Sequence, residues 1–134
     1  ANKAKQSEAR TYVGSMNRAQ QAYFLENDQF LIDEKDFGQL GLGIATETKN
    51  YSYGVVAKGN NVSNYADLNN TDSALRAYQG AVIVGTLTDT SEVTTLAVLC
   101  EAETVVRLQG PQGSEPDIKI VDEQPDCQDG WKKL

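Results

Sequence analysis

The stretch that decides the fold is residues 9–27, whose sequence is ARTYVGSMNRAQQAYFLEN. Its apolar residues recur at spacings of three and four, and this period places them on one face of an amphipathic α-helix. Side chains that compete for backbone hydrogen bonds cluster at residues 26–28, so we expect the helix to end there. We predict that the apolar face packs on the rest of the protein, with the members Ala9, Tyr12, Val13, Met16, Ala19, Tyr23 and Phe24. The opposite face is predicted to hold Ser7, Arg10, Thr11, Asn17, Arg18 and Gln21.

The beginning of this helix is less well marked than its end. Residues 1–5, ANKAK, contain no capping box and no turn signal. Residues 1–8 also have almost no apolar face, so docking on the domain would stabilise them little. We expect that residues 1–10 form an exposed stem that packs against other subunits, and that the helix continues upstream in a longer chain.

Length, composition and charge narrow the class of protein. A chain of 134 residues with 40% hydrophobic and 23% charged residues is typical of one globular domain, residues 1–134. The net charge is −7. Residues 1–27 hold four basic and two acidic side chains, so the acid excess lies in the remainder of the chain. Because an acidic body repels phosphate backbones, we expect no nucleic-acid partner.

Short apolar runs separated by turn residues follow the helix. We predict an α+β fold in which the helix lies across an antiparallel sheet of about four strands. The predicted strands are residues 50–57, 80–85, 94–100, 104–108 and, as a candidate edge strand, 118–121. Between the helix and the first strand we predict a connector at 28–49 with a short helical turn capped by Asp33. Between the strands we predict a loop at 58–64 and helical turns at 72–78. The chain is predicted to end in a polar tail at 122–134, which the packing of Trp131 holds against the domain.

The chain has two cysteines, Cys100 and Cys127, and no histidine. Their separation excludes a CxxC motif, and two cysteines without histidine cannot complete a tetrahedral zinc site. A single disulfide is the favoured interpretation, and it implies an extracytoplasmic compartment. The alternative is a pair of independent buried thiols in a cytosolic protein.

No constellation of residues predicts catalysis. Without histidine there is no Ser-His-Asp or Cys-His arrangement, and no GxGxxG or GxxxxGK[ST] motif occurs. The oxygen-rich stretches 67–72 and 117–129 lack EF-hand spacing and are interpreted as solvated turns. We therefore expect no catalytic residue, no cofactor and no metal site. An enzymatic alternative requires carboxylates that only the fold brings together in an apolar pocket.

Residues 1–10, ANKAKQSEAR, and 17–27, NRAQQAYFLEN, resemble the second half of the long N-terminal helix of type IV pilins. More narrowly, they are similar to the cyanobacterial pilin-like proteins of G and H type, which are related to type II secretion pseudopilins. The likeness is most specific over residues 1–32 and continues loosely through residues 51–53 and 75–84. Beyond these, the order of elements and a C-terminal disulfide match the pilin plan.

The resemblance implies a structural subunit of a type IV pilus or type II secretion-like filament. An upstream hydrophobic segment would anchor the precursor in the inner membrane, and a prepilin peptidase would cut it before polymerisation. The partners would be copies of itself, other pilins or pseudopilins and the assembly machinery, at the cell surface or in the periplasm. The pilin plan and the spacing also imply that Cys100 and Cys127 pair to close a C-terminal loop. The alternative is an extracytoplasmic binding module whose loops hold a ligand such as calcium or a glycan.

Overall fold

The computed structural model describes residues 2–33, 46–87 and 89–134. Its elements are α1 (Asn2–Asn27), β1 (Tyr51–Lys58), β2 (Asn61–Leu68), β3 (Tyr78–Thr86), β4 (Val93–Ala102), a 3₁₀ helix (Val106–Leu108), β5 (Lys119–Val121), β6 (Gln124–Asp126) and β7 (Trp131–Lys133). The predicted helical turn after Asp33 lies outside the described residues.

The helix α1 ends where the sequence predicts. The Asn27 side chain donates to the Tyr23 carbonyl (2.9 Å), and the Asp28 backbone N–H donates to the Phe24 carbonyl (2.8 Å). Asp28 has a φ of 56°, the left-handed conformation that stops a helix. No helix in the described part of the chain is both long and apolar enough to cross a membrane.

The principal sheet has five antiparallel strands in the order β1-β2-β3-β4-β7. Successive antiparallel connections join β1 to β4, and β7 returns to pair with β4, where Trp131 lies opposite Ala102. This arrangement confirms the predicted α+β class and the helix on an antiparallel sheet, with one strand more than expected. Two of the five strands come from segments that the sequence does not predict as strands: β2 overlaps the predicted loop at 58–64, and β7 lies in the predicted polar tail.

The predicted loop at 58–64 is wrong, because only Gly59 and Asn60 separate β1 from β2. The asparagines that favour a turn find hydrogen-bond partners in the sheet and on α1. Asn61 Oδ1 accepts from the Val84 backbone N–H (2.9 Å), and Asn64 Nδ2 donates to Asn17 Oδ1 (2.9 Å). Tertiary hydrogen bonds therefore override the local turn preference.

The helical turns predicted at 72–78 are also absent. The carbonyls of Leu75 and Ala77 accept hydrogen bonds from the Val106 and Ala102 backbone N–H groups, at 3.3 and 3.0 Å. These carbonyls therefore bond to a distant part of the chain. The short strand predicted at 104–108 is wrong as well, because residues Val106–Leu108 form the 3₁₀ helix.

The C-terminal region is more ordered than predicted. Residues 118–121 were expected at the edge of the sheet, but β5 pairs only with β6 in a separate two-stranded hairpin. The turn residues Asp122 and Glu123 have φ values of 51° and 67°, which close the hairpin. Trp131 is buried, as the sequence predicts for the residue that holds the tail down.

Candidate functional site

The side chains of the predicted packing face of α1 are all at least partly buried, but the extent of burial varies along the helix. Ala9, Val13 and Met16 are at most 1% exposed and belong to the principal hydrophobic core. Tyr12 is half-buried against the same core, and Phe24 is half-buried against a second cluster of Phe30, Val55, Val62 and Val82. Ala19 and Tyr23 are half-buried.

Two polar residues on α1 are buried at this interface, and the sequence prediction missed both. Asn17, predicted on the opposite face, donates through Nδ2 to the Val98 carbonyl (3.0 Å). Gln20 forms a two-bond clamp on Leu31: its Nε2 donates to the Leu31 carbonyl (2.7 Å), and its Oε1 accepts from the Leu31 N–H (2.9 Å). Asn17 and Gln20 lie four residues after Val13 and Met16, a spacing that could have placed them on the buried face.

This polar network joins the helix, the sheet and the connector. Asn64 on β2 donates to Asn17 Oδ1 and accepts from Gln20 Nε2 (3.2 Å) through its own Oδ1. Asn64 and Gln20 are fully buried, and Asn17 is nearly so. Since unpaired buried amides are costly, these bonds define one position of α1 on the sheet.

Gly80, opposite Asn64 and Leu99 in the sheet, marks the closest approach of the helix. A Cβ atom built on Gly80 would lie inside van der Waals contact of Asn17 Oδ1 and 2.7 Å from Val13 Cγ1. The missing side chain therefore allows the helix to pack against the strand at this point.

A group of tyrosines fills another part of the same helix–sheet interface. The ring centroids of Tyr12 and Tyr53 are 5.3 Å apart, and those of Tyr51 and Tyr78 are 6.5 Å apart. Burial raises the pKa of the Tyr51, Tyr53 and Tyr78 hydroxyls well above the usual tyrosine value, so all three are neutral at physiological pH. Tyr78 donates to Glu101 Oε2 (2.6 Å), and Tyr51 donates to the Arg76 carbonyl (2.8 Å).

The Tyr53 hydroxyl is buried without a hydrogen-bond partner in the described structure. We expect Tyr53→Phe to leave the free energy of unfolding unchanged or to raise it by up to ~1 kcal/mol, because it removes an unsatisfied polar group. The matched change Tyr51→Phe should lower it by about 1–2 kcal/mol, because the Arg76 carbonyl loses its donor. Urea denaturation of both variants measures the difference. Equal losses in the two would show that Tyr53 has a partner.

The disulfide between Cys100 and Cys127 is present, which confirms the predicted pairing. Cys100 is fully buried in β4, and Cys127 is nearly buried after β6. The bond closes a loop with a sequence separation of 27 residues. Gly113 in this loop lies against the sheet so closely that an added Cβ would meet the Tyr78 and Ala66 carbonyls.

The loop is also held by polar contacts to the end of β2. Gln112 Oε1 accepts from the Leu68 N–H (2.8 Å), and Gln112 Nε2 donates to the Leu68 carbonyl (3.1 Å), which imitates strand pairing. Ser114 donates to Asp67 through its backbone N–H (2.9 Å) and through its hydroxyl (2.6 Å). Burial nevertheless raises the pKa of Asp67 above its ordinary value, against the lowering effect of these bonds.

A raised pKa at Asp67 makes stability depend on pH. The folded state binds a proton at this carboxyl more tightly than the unfolded state does. The resulting stabilisation is complete below the ordinary aspartate pKa of 3.8 and is lost as the pH rises through the folded-state pKa. We expect Asp67→Asn, which stays neutral, to gain stability relative to the wild type as the pH rises from about 4 to 7. Melting temperatures across this range measure it, and a constant difference between the proteins would contradict it.

The first residues of α1 form an exposed stem, residues 2–8, in which only Gln6 is partly buried. Gln6 Oε1 accepts a hydrogen bond from the Arg76 backbone N–H (3.0 Å). Beside it, a shallow cleft of ≈ 220 Å³ lies between the helix and the beginning of β3, lined by Lys3, Gln6, Ser7, Arg10, Tyr78 and Glu101. The described residues contain no group of three or more histidine, cysteine, aspartate or glutamate side chains placed to hold a metal ion.

The molecule is built on a helix whose later turns dock on a sheet and whose first residues, 2–8, are exposed apart from the partly buried Gln6. The loop that the Cys100–Cys127 disulfide closes packs against β2 and the beginning of β3. The family model described as type IV pilin-like G and H matches residues 6–127, which is most of the chain. No curated protein and no solved structure matches the chain.

Proposed function

Because this chain belongs to the type IV pilin-like G and H family, we propose that it is a structural subunit of a type IV pilus or a type II secretion-like filament. Family membership indicates a pilin-like structural role, in a family that is structural and non-enzymatic. The proposal adds that this subunit, a major or minor pilin or a pseudopilin, acts by helix-mediated polymerisation. Residues 1–134 then form a single pilin-like domain.

The observation that carries the proposal is the division of α1 into two parts. Residues from Ala9 onward bury side chains in the core, whereas residues 2–8 are almost entirely exposed. An isolated exposed helical segment gains little stability in water, because most helical stability in proteins comes from tertiary packing. The stem is therefore well suited to packing against the helices of other subunits.

In this role the packing face predicted from the sequence contacts the sheet of its own domain, and the stem contacts other subunits of the filament. We propose that the partners are copies of this chain, other pilins or pseudopilins, and an inner-membrane assembly machinery. Residues 28–49 would contribute to contacts between subunits. We do not assign a nucleic-acid partner, since the acid excess lies in the body of the domain.

The family indicates an extracellular or surface-exposed location. We propose that the precursor is anchored in the inner membrane before assembly and that the acidic domain faces outward from the filament. The disulfide supports this proposal, because such bonds persist in oxidising compartments. The loop that Cys100 and Cys127 close would be part of the outer face.

Two measurements test the proposed function. The reading frame upstream of Ala1 should encode a short basic leader ending in glycine, followed by about 20 apolar residues with an early glutamate. In cells that express an epitope-tagged precursor, we expect the tag to be part of a filament. For a surface pilus, shearing the cells should release the tag with the filaments; for a secretion-like filament, the tag should stay in filaments in the periplasm. A start codon immediately before Ala1, or a tag found only as a free monomer, would contradict the proposal. A precursor whose hydrophobic segment is deleted is the control.

A further inference from the structure

The two ends of α1 lie at opposite ends of the molecule. Gln6 bonds to the backbone of Arg76, two residues before β3 begins. Gln21 Nε2 donates to the Thr95 carbonyl (3.4 Å), close to the beginning of β4 and therefore to the end of β3. The helix thus runs along β3, with Gln6 near the beginning of the strand and Gln21 near its end. A helix of this length spans about 39 Å, so its two ends present well-separated surfaces.

The end beyond the C-terminus of α1 carries exposed apolar side chains, and we name it the apolar pole. There the end of α1, the β1–β2 turn and the end of β3 line a cavity of ≈ 390 Å³. The β5–β6 hairpin reaches the same end of β3, where Ile120 lines a second cavity of ≈ 320 Å³ with Gly85 and Thr86. Most of the large apolar side chains exposed in the described structure belong to this pole: Leu25, Ile32, Leu87, Val93, Ile120 and Val121. A concentration of this kind is typical of an interaction surface.

The segments that meet at the apolar pole also carry six carboxylates, which we name the acidic rim; Asp28 lines the first cavity and Glu123 the second. The rim comprises carboxylates from the end of α1, the β3–β4 turn and the β5–β6 turn: Glu26, Asp28, Asp89, Glu92, Asp122 and Glu123. None of these six forms an ion pair within the described residues. Lys119, three residues before the β5–β6 turn, is already paired with Asp129 (3.9 Å).

The acidic rim does not stabilise the fold that carries it. Glu26 and Asp28 lie at the C-terminal end of α1, where the helix macrodipole is negative and favours cations. The last turn of the helix contains no basic residue. Like charges placed together without counter-charges raise the free energy of the folded state, so this surface is suited to neutralisation by another molecule.

The complementary surface lies along α1 from its first turn to Arg18, and we name it the basic flank: Lys3, Arg10 and Arg18. Lys3 and Arg10 share the cleft beside β3 with Glu101. Spacings of seven and eight residues place the three on one side of the helix, and all are exposed. None forms an ion pair within the described residues, although Arg18 donates to the Ser15 hydroxyl (3.2 Å). Glu8, the acidic residue of the stem, points about 140–160° away from Lys3 and Arg10 around the helix axis.

We propose that the apolar pole of one copy, with its acidic rim, receives the basic flank of the helix of a second copy. Lysine and arginine suit both parts of the pole, because their aliphatic stems cover apolar surface while their charged groups reach the carboxylates. The inference rests on the proposed filament function and names the two surfaces that meet. Because the two surfaces differ, the contact is heterologous, and repeated contact builds an open chain rather than a closed two-fold dimer.

Self-association of the 134-residue chain tests this docking. Sedimentation equilibrium at high protein concentration should show weak association that weakens about tenfold or more between about 50 and 500 mM NaCl. The pole variant Glu26→Lys/Glu92→Lys and the flank variant Lys3→Glu/Arg10→Glu should each abolish self-association. An equimolar mixture of the two variants should associate again, because the reversed pole and the reversed flank are complementary.

Matched controls separate docking from general charge and hydrophobic effects. The variant Glu47→Lys/Glu103→Lys changes the net charge as the pole variant does, at exposed acids outside the rim, and should not weaken association. Leu25 is 77% exposed at the pole and Leu108 is 69% exposed elsewhere. Leu25→Ser should weaken association several-fold, and Leu108→Ser should leave it unchanged. Unaltered melting temperatures establish that each variant is folded.

Several outcomes would overturn the docking proposal. A chain that remains monomeric at low salt, or associates more strongly as salt rises, would show that the pole does not bind the basic flank. A mixture that fails to associate would do the same. Filament incorporation separates the two proposals: precursors with reversed charges that enter filaments as well as the wild type contradict only the docking, whereas a wild-type precursor that enters none contradicts the filament function.

Discussion

Replacing Gly80 with alanine is expected to lower the free energy of unfolding by about 2–4 kcal/mol. The new Cβ would overlap Asn17 Oδ1 and lie 2.7 Å from Val13 Cγ1. Neither neighbour can move at low cost. Val13 is fully buried, and Asn17 is held by the Val98 carbonyl and by Asn64. The helix must therefore shift away from β3 or give up the polar network.

The matched control is Gly14→Ala on the helix itself. A Cβ at Gly14 makes only ordinary contacts, 3.6 Å from Arg18 Nη1 and 3.8 Å from Leu99 Cδ2. Since glycine in a helix interior is less stable than alanine by about 0.5–1 kcal/mol, Gly14→Ala should stabilise the protein by that amount. Urea denaturation of both variants should therefore show that the same glycine-to-alanine change lowers the free energy of unfolding at position 80 and raises it at position 14.

A double-mutant cycle identifies the cause of the Gly80 effect. In an Asn17→Ala background the clashing amide is gone, so Gly80→Ala should cost less than it does in the wild type. If the two substitutions lower the free energy of unfolding additively, the overlap with Asn17 is not the cause of the Gly80→Ala effect. A Gly80→Ala protein as stable as the wild type would show that the helix does not pack on β3 at this position.

Breaking the disulfide with Cys127→Ser is expected to lower the free energy of unfolding by about 2–5 kcal/mol. In the chain-entropy model, a closed loop of the observed length contributes ~3.5 kcal/mol, because it restricts the unfolded chain. The loss also leaves the buried Cys100 without its covalent partner, close to the short β4–β7 pairing.

Trp131, the single tryptophan of the chain, reports this change directly because it lies buried on β7. Its fluorescence should shift to the red in Cys127→Ser at temperatures where the wild type is unchanged. Wild-type protein treated with a reductant should reproduce both the shift and the stability loss. Equal stability under oxidising and reducing conditions would contradict the stabilising role of the disulfide.

The sequence predicted those features that arise from local periodicity or from a simple count. The 3.6-residue period of residues 9–27 predicted α1, and competing polar side chains at residues 26–28 predicted its end. The short apolar run at residues 50–57 predicted β1, and two cysteines without histidine indicated one disulfide. Each signal is local or compositional, so the fold class and the family resemblance follow from the order of the residues alone.

The errors in the prediction share one physical cause. Asn64 was assigned to a loop and Asn17 to an exposed face, because isolated asparagine prefers turns and water. In the fold the two amides bond to each other, and Gln20 bonds to Asn64, so all three are buried. Likewise β7 gains its strand conformation from pairing with β4, which its own short sequence does not specify.

By itself, the sequence determined the helix and the α+β class and favoured a single disulfide, because periodicity and cysteine content act without reference to distant residues. Only the tertiary structure decided which polar side chains are buried, where Gly80 admits the helix, and that the acidic turns share one end of the molecule. Those properties depend on contacts between residues up to 81 positions apart, such as Asn17 with Val98. No local pattern encodes such a pairing, since its free energy arises only when the chain closes around it.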